Sequence, residues 1–218
     1  MLRVAEEQPK HSLAEELANC LTHGFGLVLS IAGLVVLIVL ASIHGTTIHI
    51  VCCCIYGLSL VTLYAASTLY HGCRRPERKH FYRTIDHAAI FVLIAGTYTP
   101  FTLINLWSNW GRLLFVSVWT IAILGMIFKV FFTGRFEIVS TGLYIVTGWL
   151  AIFAVKPILA EIPSGGIILI LMGGFFYTMG VFFYASKRLR YSHAIWHVMV
   201  LTGSVCHYIA VMRYVLPS

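Results

Sequence analysis

Seven apolar stretches, each of roughly 18 to 22 residues, follow one another along almost the whole chain, and each is long enough to cross a hydrocarbon core of about 30 Å. They fall near residues 20–43, 48–71, 86–106, 112–133, 136–156, 166–186 and 193–215, with short connections between them. In lipid, backbone polar groups must be satisfied within the segment, so stretches of this length are helices and not sheet. The composition agrees: 59% of the 218 residues are hydrophobic and only 11% are charged, well outside the range of a water-soluble domain. The expectation is an all-α membrane protein, a seven-helix bundle forming a single domain over residues 1–218, with residues 1–18 as a short N-terminal segment and no internal repeat.

The basic residues are distributed unevenly. With alternating spans, twelve of the fifteen lysines and arginines fall on one side: Arg3, Lys10, Arg74, Arg75, Arg78, Lys79, Arg83, Lys129, Arg135, Lys187, Arg188 and Arg190. Arg112, Lys156 and Arg213 fall on the other. The positive-inside rule then predicts a cytoplasmic N-terminus and an external C-terminus. The formal charge of +7 reflects this asymmetry, so no nucleic-acid partner is expected. The N-terminus shows no short apolar stretch with a small-residue cleavage site, so no removable signal peptide is expected.

Ionisable residues inside membrane helices are costly and mark function. Here they gather near one end of the bundle. "ASTLYH" gives Ser67 and His71 on the second span, "TIDHAAI" opens the third with Asp86 and His87, and "SHAIWH" opens the seventh with His193 and His197. His193 and His197 are one helical turn apart on one face, where both rings can reach one ion. His71 would supply a third nitrogen. Zinc held by three protein ligands keeps a fourth position for water and lowers that water's pKa, and a carboxylate such as Asp86 beside it could accept and relay the proton. Ser67 could hydrogen-bond the water or polarise a substrate carbonyl. Taken alone, the histidine pair fits a device that pins neighbouring helices as well as it fits a metal site.

On the first span, Glu16, Asn19 and His23 share one face and could support the metal ligands through their second ring nitrogens, or could join helices by hydrogen bonds. His87 points about 100° away from Asp86 and reads as a packing residue. His207 lies about 15 Å along the helix from His197, too far to share its ion. The six cysteines suggest no disulfide frame, and Cys73 alone is near enough to be a spare ligand. Pro100 removes a backbone donor and predicts a kink, with Thr97 or Thr99 compensating the Gly96 carbonyl. The glycines in "MGGFF" and "GLYIVTGW" read as points of close helix packing.

"EELANCLTHGFG", "ASTLYHG", "DHAAIFVLIAGTYTP" and "HAIWHVMVLTGSVCHY" together resemble the bacterial haemolysin III family, a branch of the progestin and adipoQ receptor superfamily, from about Glu15 to Tyr208. The resemblance implies seven helices with a cytoplasmic N-terminus, zinc bound by His71, His193 and His197, and Asp86 in contact with the zinc-bound water. The superfamily also looks like the alkaline ceramidases, which implies zinc-dependent hydrolysis of a lipid amide: a metal-bound hydroxide attacks the carbonyl and Asp86 passes the proton to the departing amine. Membrane lipids are then the expected partners and the bacterial inner membrane the expected location, with oligomerisation left open. Two other functions stay in view, a pore-forming cytolysin after the family's name and a membrane sensor in which zinc only holds helices together.

Overall fold

The structure is a computed structural model and describes residues 12–186 and 188–217. Arg3, Lys10 and Lys187 of the charge count lie outside them. Eight α-helices build seven spans: α1 (Leu13–His44), α2 (Thr47–Gly72), α3 (Pro76–Pro100), α4 (Asn109–Phe132), α5 (Glu137–Gly148) with α6 (Val155–Glu161), α7 (Ser164–Ala185) and α8 (Ser192–Tyr214). Large apolar side chains such as Phe131, Ile138, Phe153 and Phe182 are exposed on the outside, as a lipid-facing surface requires.

Local chemistry explains the boundaries. The Ser12 hydroxyl accepts from the Glu15 N–H (3.3 Å) and Glu15 Oε2 accepts from the Ser12 N–H (2.9 Å), a capping box that starts α1. α3 starts with Pro76 at its first position, where the missing donor costs nothing. Asp86 and His87 therefore do not open the third span: they lie ten and eleven residues inside it, because the basic stretch Arg78–Arg83 continues the helix towards the membrane surface.

Two spans are irregular. After Pro100 the chain widens into a π turn over Phe101–Asn105, closed by the Leu106 N–H on the Phe101 carbonyl (2.8 Å). Thr97 and Thr99 do not serve the Gly96 carbonyl as expected: each reaches back one turn, to Leu93 and Ala95 (2.8 Å each). The fifth span is broken, with a 3₁₀ turn over Leu150–Ala154 between α5 and α6. Pro157 accounts for the break, since it lacks the N–H that would bond the Phe153 carbonyl. Tyr98 of α3 pins the broken segment, donating to the Gly148 carbonyl (2.8 Å) and accepting from the Ala151 N–H (3.0 Å).

Between membrane helices, packing and hydrogen bonds replace the hydrophobic drive available in water. α1 packs closely on α2 at Gly26, where an added Cβ would stand 2.6 Å from the Tyr64 ring. α7 packs on α8 where Gly173 lies against the His207 ring. Gly142 and Gly148 of "GLYIVTGW" are not packing points, for nothing approaches their missing Cβ within 4 Å. That face of α5 is open.

Candidate metal centre

Contacts among helix ends show that the starts of α1, α3 and α8 and the end of α2 meet at one end of the bundle. The left-handed backbone of Tyr191 (φ 57°) turns the chain into α8, and its N–H donates to Glu15 Oε1 (3.1 Å). The capping residue of α1 thus also sets where α8 begins, and with it the position of His193 one residue into that helix.

His71, His193 and His197 come together. Their ligand nitrogens all lie within 4.8 Å of one another, and His71 Nε2 is 3.2 Å from His193 Nε2. Two nitrogens bound 2.0–2.1 Å from one tetrahedral ion stand about 3.3 Å apart, so the spacing suits a small divalent cation. The remaining ring nitrogens are committed. His71 Nδ1 lies 2.7 Å from Glu16 Oε2, and His197 Nδ1 lies 3.1 Å from the Asn19 carbonyl and 3.2 Å from the Thr22 hydroxyl. Each carbonyl or carboxylate oxygen can only accept, which keeps the proton on Nδ1 and leaves Nε2 with a bare lone pair aimed at the shared centre. His197 Nε2 is buried and has no hydrogen-bond partner within the protein. A buried, unpaired acceptor facing two other imidazoles is what a metal ligand leaves when considered without its ion.

The supporting residues named from the first span take three different positions. Glu16 touches His71 directly, and its other oxygen accepts from Lys79 Nζ (3.2 Å). Asn19 contributes its backbone carbonyl, while both atoms of its side-chain amide are buried without partners. His23 stacks on His197, with ring centroids 3.5 Å apart and planes 9° from parallel, and both its nitrogens are unpaired.

Ser67 lies one helical turn from His71 on α2, and buried Asp86 of α3 lies beside it. The Ser67 hydroxyl has no partner at bonding distance. Asp86 is outside the three-imidazole set and faces a cavity that His23 also lines. Cys73 is not in the set either: its thiol points to the Arg75 carbonyl (3.6 Å). His87 lies 3.6 Å from Glu137 Oε2 and His207 bonds the Ile170 carbonyl (3.0 Å), so neither approaches the centre.

The cavity runs from Asp86, His87 and His23 between α3, α5, α7 and α8 to Tyr177 and His207. Apart from these ends it is walled mostly by apolar and aromatic side chains, among them Leu93, Ile94, Trp196 and Val200. Exposed Gly148, Trp149 and Thr178 line it where α5 and α7 part, so its mouth opens sideways towards the bundle's outer surface. One hydrogen bond crosses that mouth, from Trp149 Nε1 to Thr178 Oγ1 (3.1 Å).

Sequence reasoning missed a second polar cluster at the same end. Glu137, at the start of α5, receives Arg83 Nη2 of α3 on Oε1 (3.3 Å) and Lys129 Nζ of α4 on Oε2 (3.0 Å). Lys129 is completely buried and Arg83 nearly so, both inside helices. The available signal was scarcity: with only eight acidic residues in the chain, one opening an apolar span opposite a lysine eight positions earlier is itself informative.

Fold and site together define a class: a multi-pass, all-α membrane protein with three converging imidazoles, two buried and one half-buried, at one end of seven spans. The chain belongs to the haemolysin III related family, whose model matches residues 11–208. It is 46% identical over 204 residues to Hemolysin-3 of Bacillus cereus, covering 94% of this chain and 93% of the relative. It is 45% identical over 203 residues to the Hemolysin-3 homolog of Bacillus subtilis (strain 168), covering 93% and 95%. At greater distance, it is 27% identical over 217 residues to the monocyte to macrophage differentiation factor of Homo sapiens, covering 96% and 88%.

Proposed function

We propose that His71, His193 and His197 hold a zinc ion and that the protein hydrolyses a lipid amide taken from the membrane. The observation that carries this reading is the placement of buried Asp86 at the head of a laterally open, largely apolar cavity, alongside a three-imidazole set with its outer nitrogens tied to Glu16 and Asn19. An apolar tunnel ending in a carboxylate suits an amphiphile with its reactive group at one end. When bound, zinc would supply a Lewis acid and an activated water.

The chain's own residues would do the rest. The cavity wall binds the acyl chain and excludes bulk water from the amide. Asp86 takes a proton at its carboxylate and returns it to the departing amine nitrogen, a transfer worth about 10²–10⁴-fold in rate for a positioned carboxylate. Ser67, beside Asp86, is placed to donate a hydrogen bond to the substrate carbonyl. The positive-inside rule, applied to the uneven distribution of basic residues, would put this end in the cytoplasm, and the substrate would then come from the inner leaflet.

The relatives' name points instead to lysis of membranes. Among the described residues the buried charged and imidazole side chains, apart from His207, gather at one end and the outer surface is largely apolar, which favours a resident membrane protein over a pore lined by its own spans.

Metal analysis of purified wild type beside His193→Ala tests the first half: about one zinc per chain is expected, lost in the variant. For the second half, lipid-amide hydrolysis in wild type should fall about 10²–10⁴-fold in Asp86→Asn with zinc retained. Bound zinc with no hydrolysis of any lipid amide, and stability that collapses on chelation, would make the metal a structural clamp.

A further inference from the structure

We infer that Tyr184 selects the head group of the cavity's ligand, its hydroxyl donating a hydrogen bond to a neutral carbonyl oxygen. The inference rests on the reading that an acyl lipid occupies the cavity. Four tyrosines line that cavity: Tyr98, Tyr144, Tyr177 and Tyr184. Three have their hydroxyls committed, Tyr98 to the Gly148 carbonyl (2.8 Å), Tyr144 to the His87 carbonyl (2.9 Å) and Tyr177 to Ser204 (2.9 Å). The Tyr184 hydroxyl has no partner among the described residues, and unlike His197 Nε2 and His207 Nδ1 it is not enclosed but keeps accessible surface.

The fold sets where this phenol stands. Ser192 Oγ donates to the Ser186 carbonyl (3.0 Å), tying the end of α7 to the start of α8. The Tyr184 ring packs on Trp196 (5.0 Å between centroids) and on His193 (5.9 Å). Its hydroxyl end lies within electrostatic reach of Asp86 and Arg83 on α3 and of Glu137 on α5, the two helices that face α7 across the cavity. The uncommitted donor therefore stands at the head of the cavity, on the opposite wall from Asp86.

The surrounding charges decide what kind of oxygen it takes. An unmatched hydroxyl hydrogen in an apolar cavity selects a ligand with an acceptor, because leaving it unmatched costs free energy. Among the described residues no lysine or arginine lines the cavity, and the two buried cations at this end, Arg83 and Lys129, are both closed on Glu137. Asp86 faces the same space and opposes an anionic head. A neutral acceptor remains, and the carbonyl of an amide or ester supplies it. Such an oxygen has two lone pairs, so it can accept from Tyr184 as well as from Ser67.

The test measures binding of tritiated 2-tetradecanone, whose carbonyl cannot be hydrolysed, to the full chain in detergent micelles by scintillation proximity. In wild type, unlabelled ketone should displace it at about tenfold lower concentration than 1-chlorotetradecane, the scale of one hydrogen bond. That advantage should fall to about twofold in Tyr184→Phe, which keeps the ring against Trp196 and His193, and stay near its full size in Tyr144→Phe, whose hydroxyl is already committed. Equal displacement by ketone and chloride in wild type would overturn the inference and leave interfacial water as the partner of Tyr184. An advantage that survives Tyr184→Phe would overturn its assignment to this residue; should that variant fail to fold, Tyr184→Met removes the same donor. Tetradecanesulfonate should need at least about tenfold more than the ketone, and displacement as good as the ketone's would overturn the choice of a neutral head group. Because the ketone is never cleaved, a chain without hydrolase activity would leave these results standing. No saturable binding of the ketone to wild type would bring down the acyl-lipid reading of the cavity, and the inference with it.

Discussion

Two buried polar clusters share one end of this bundle and are built on opposite plans. The imidazole cluster of α1, α2 and α8 is composed mainly of groups that can be neutral, and it leaves acceptors and donors unpaired: His197 Nε2, both His23 nitrogens and the Asn19 amide. The ionic cluster of α3, α4 and α5 consists of full charges closed on one another, with Glu137 taking Arg83 on one oxygen and Lys129 on the other. Burying unpaired polar atoms costs stability, whereas burying a charge is tolerable only when its partner is already in place. The first plan leaves room for a ligand. The second fastens α5, which otherwise touches α3 and α4 sparsely, to that well-packed pair.

The sharpest way to break the comparison is to remove one member of each cluster and ask what is lost. His197→Ala should abolish metal binding, because two remaining imidazoles cannot close a site, while the apo bundle stays folded; metal content and gel-filtration profile check both halves. Glu137→Ala should behave in reverse. It strands fully buried Lys129 and costs about 3–5 kcal/mol, the scale for breaking a buried ion pair from one side. Thermal unfolding in detergent should shift markedly downward with metal content unchanged, and adding Lys129→Met should recover much of the loss. If Glu137→Ala instead released the metal, the two clusters would be one coupled site.

The contrast also explains what could be read from sequence. All seven spans were legible because hydrocarbon thickness dictates their length, and the three histidines because helical spacing puts His193 and His197 on one face. Side-chain pairing across helices was not. Lys129 looks like a loop cation until α5 brings Glu137 against it, and Asp86 looks like a helix start until Pro76 is seen to begin the helix ten residues earlier. The fifth span read as one helix because mean hydropathy ignores where a proline removes a donor. Asn19 reaches His197 through its backbone carbonyl and not its side chain, a role that no residue type advertises.

A smaller effect sharpens the comparison further, because Glu16 combines the two plans. It accepts from His71 Nδ1 at 2.7 Å and from Lys79 at 3.2 Å, so it is both the orienting partner of a metal ligand and half of an ion pair. The Lys79 end of the pair is 30% exposed, so solvent screens it and the pair itself contributes little to stability. Glu16→Gln should therefore leave the melting temperature nearly unchanged. The amide still accepts from His71 but loses the charge that makes the imidazole a strong donor to metal, and loss of such an outer partner weakens affinity about 10–100-fold. Competition with a graded series of chelators measures this directly. Lys79→Met is the matching control: it removes the same ion pair without touching His71, and should leave metal affinity within about threefold of wild type, as expected for a solvent-screened pair. If the two substitutions weakened binding equally, the Lys79–Glu16 pair as a unit, and not the negative charge that Glu16 sets against His71, would be what supports the metal.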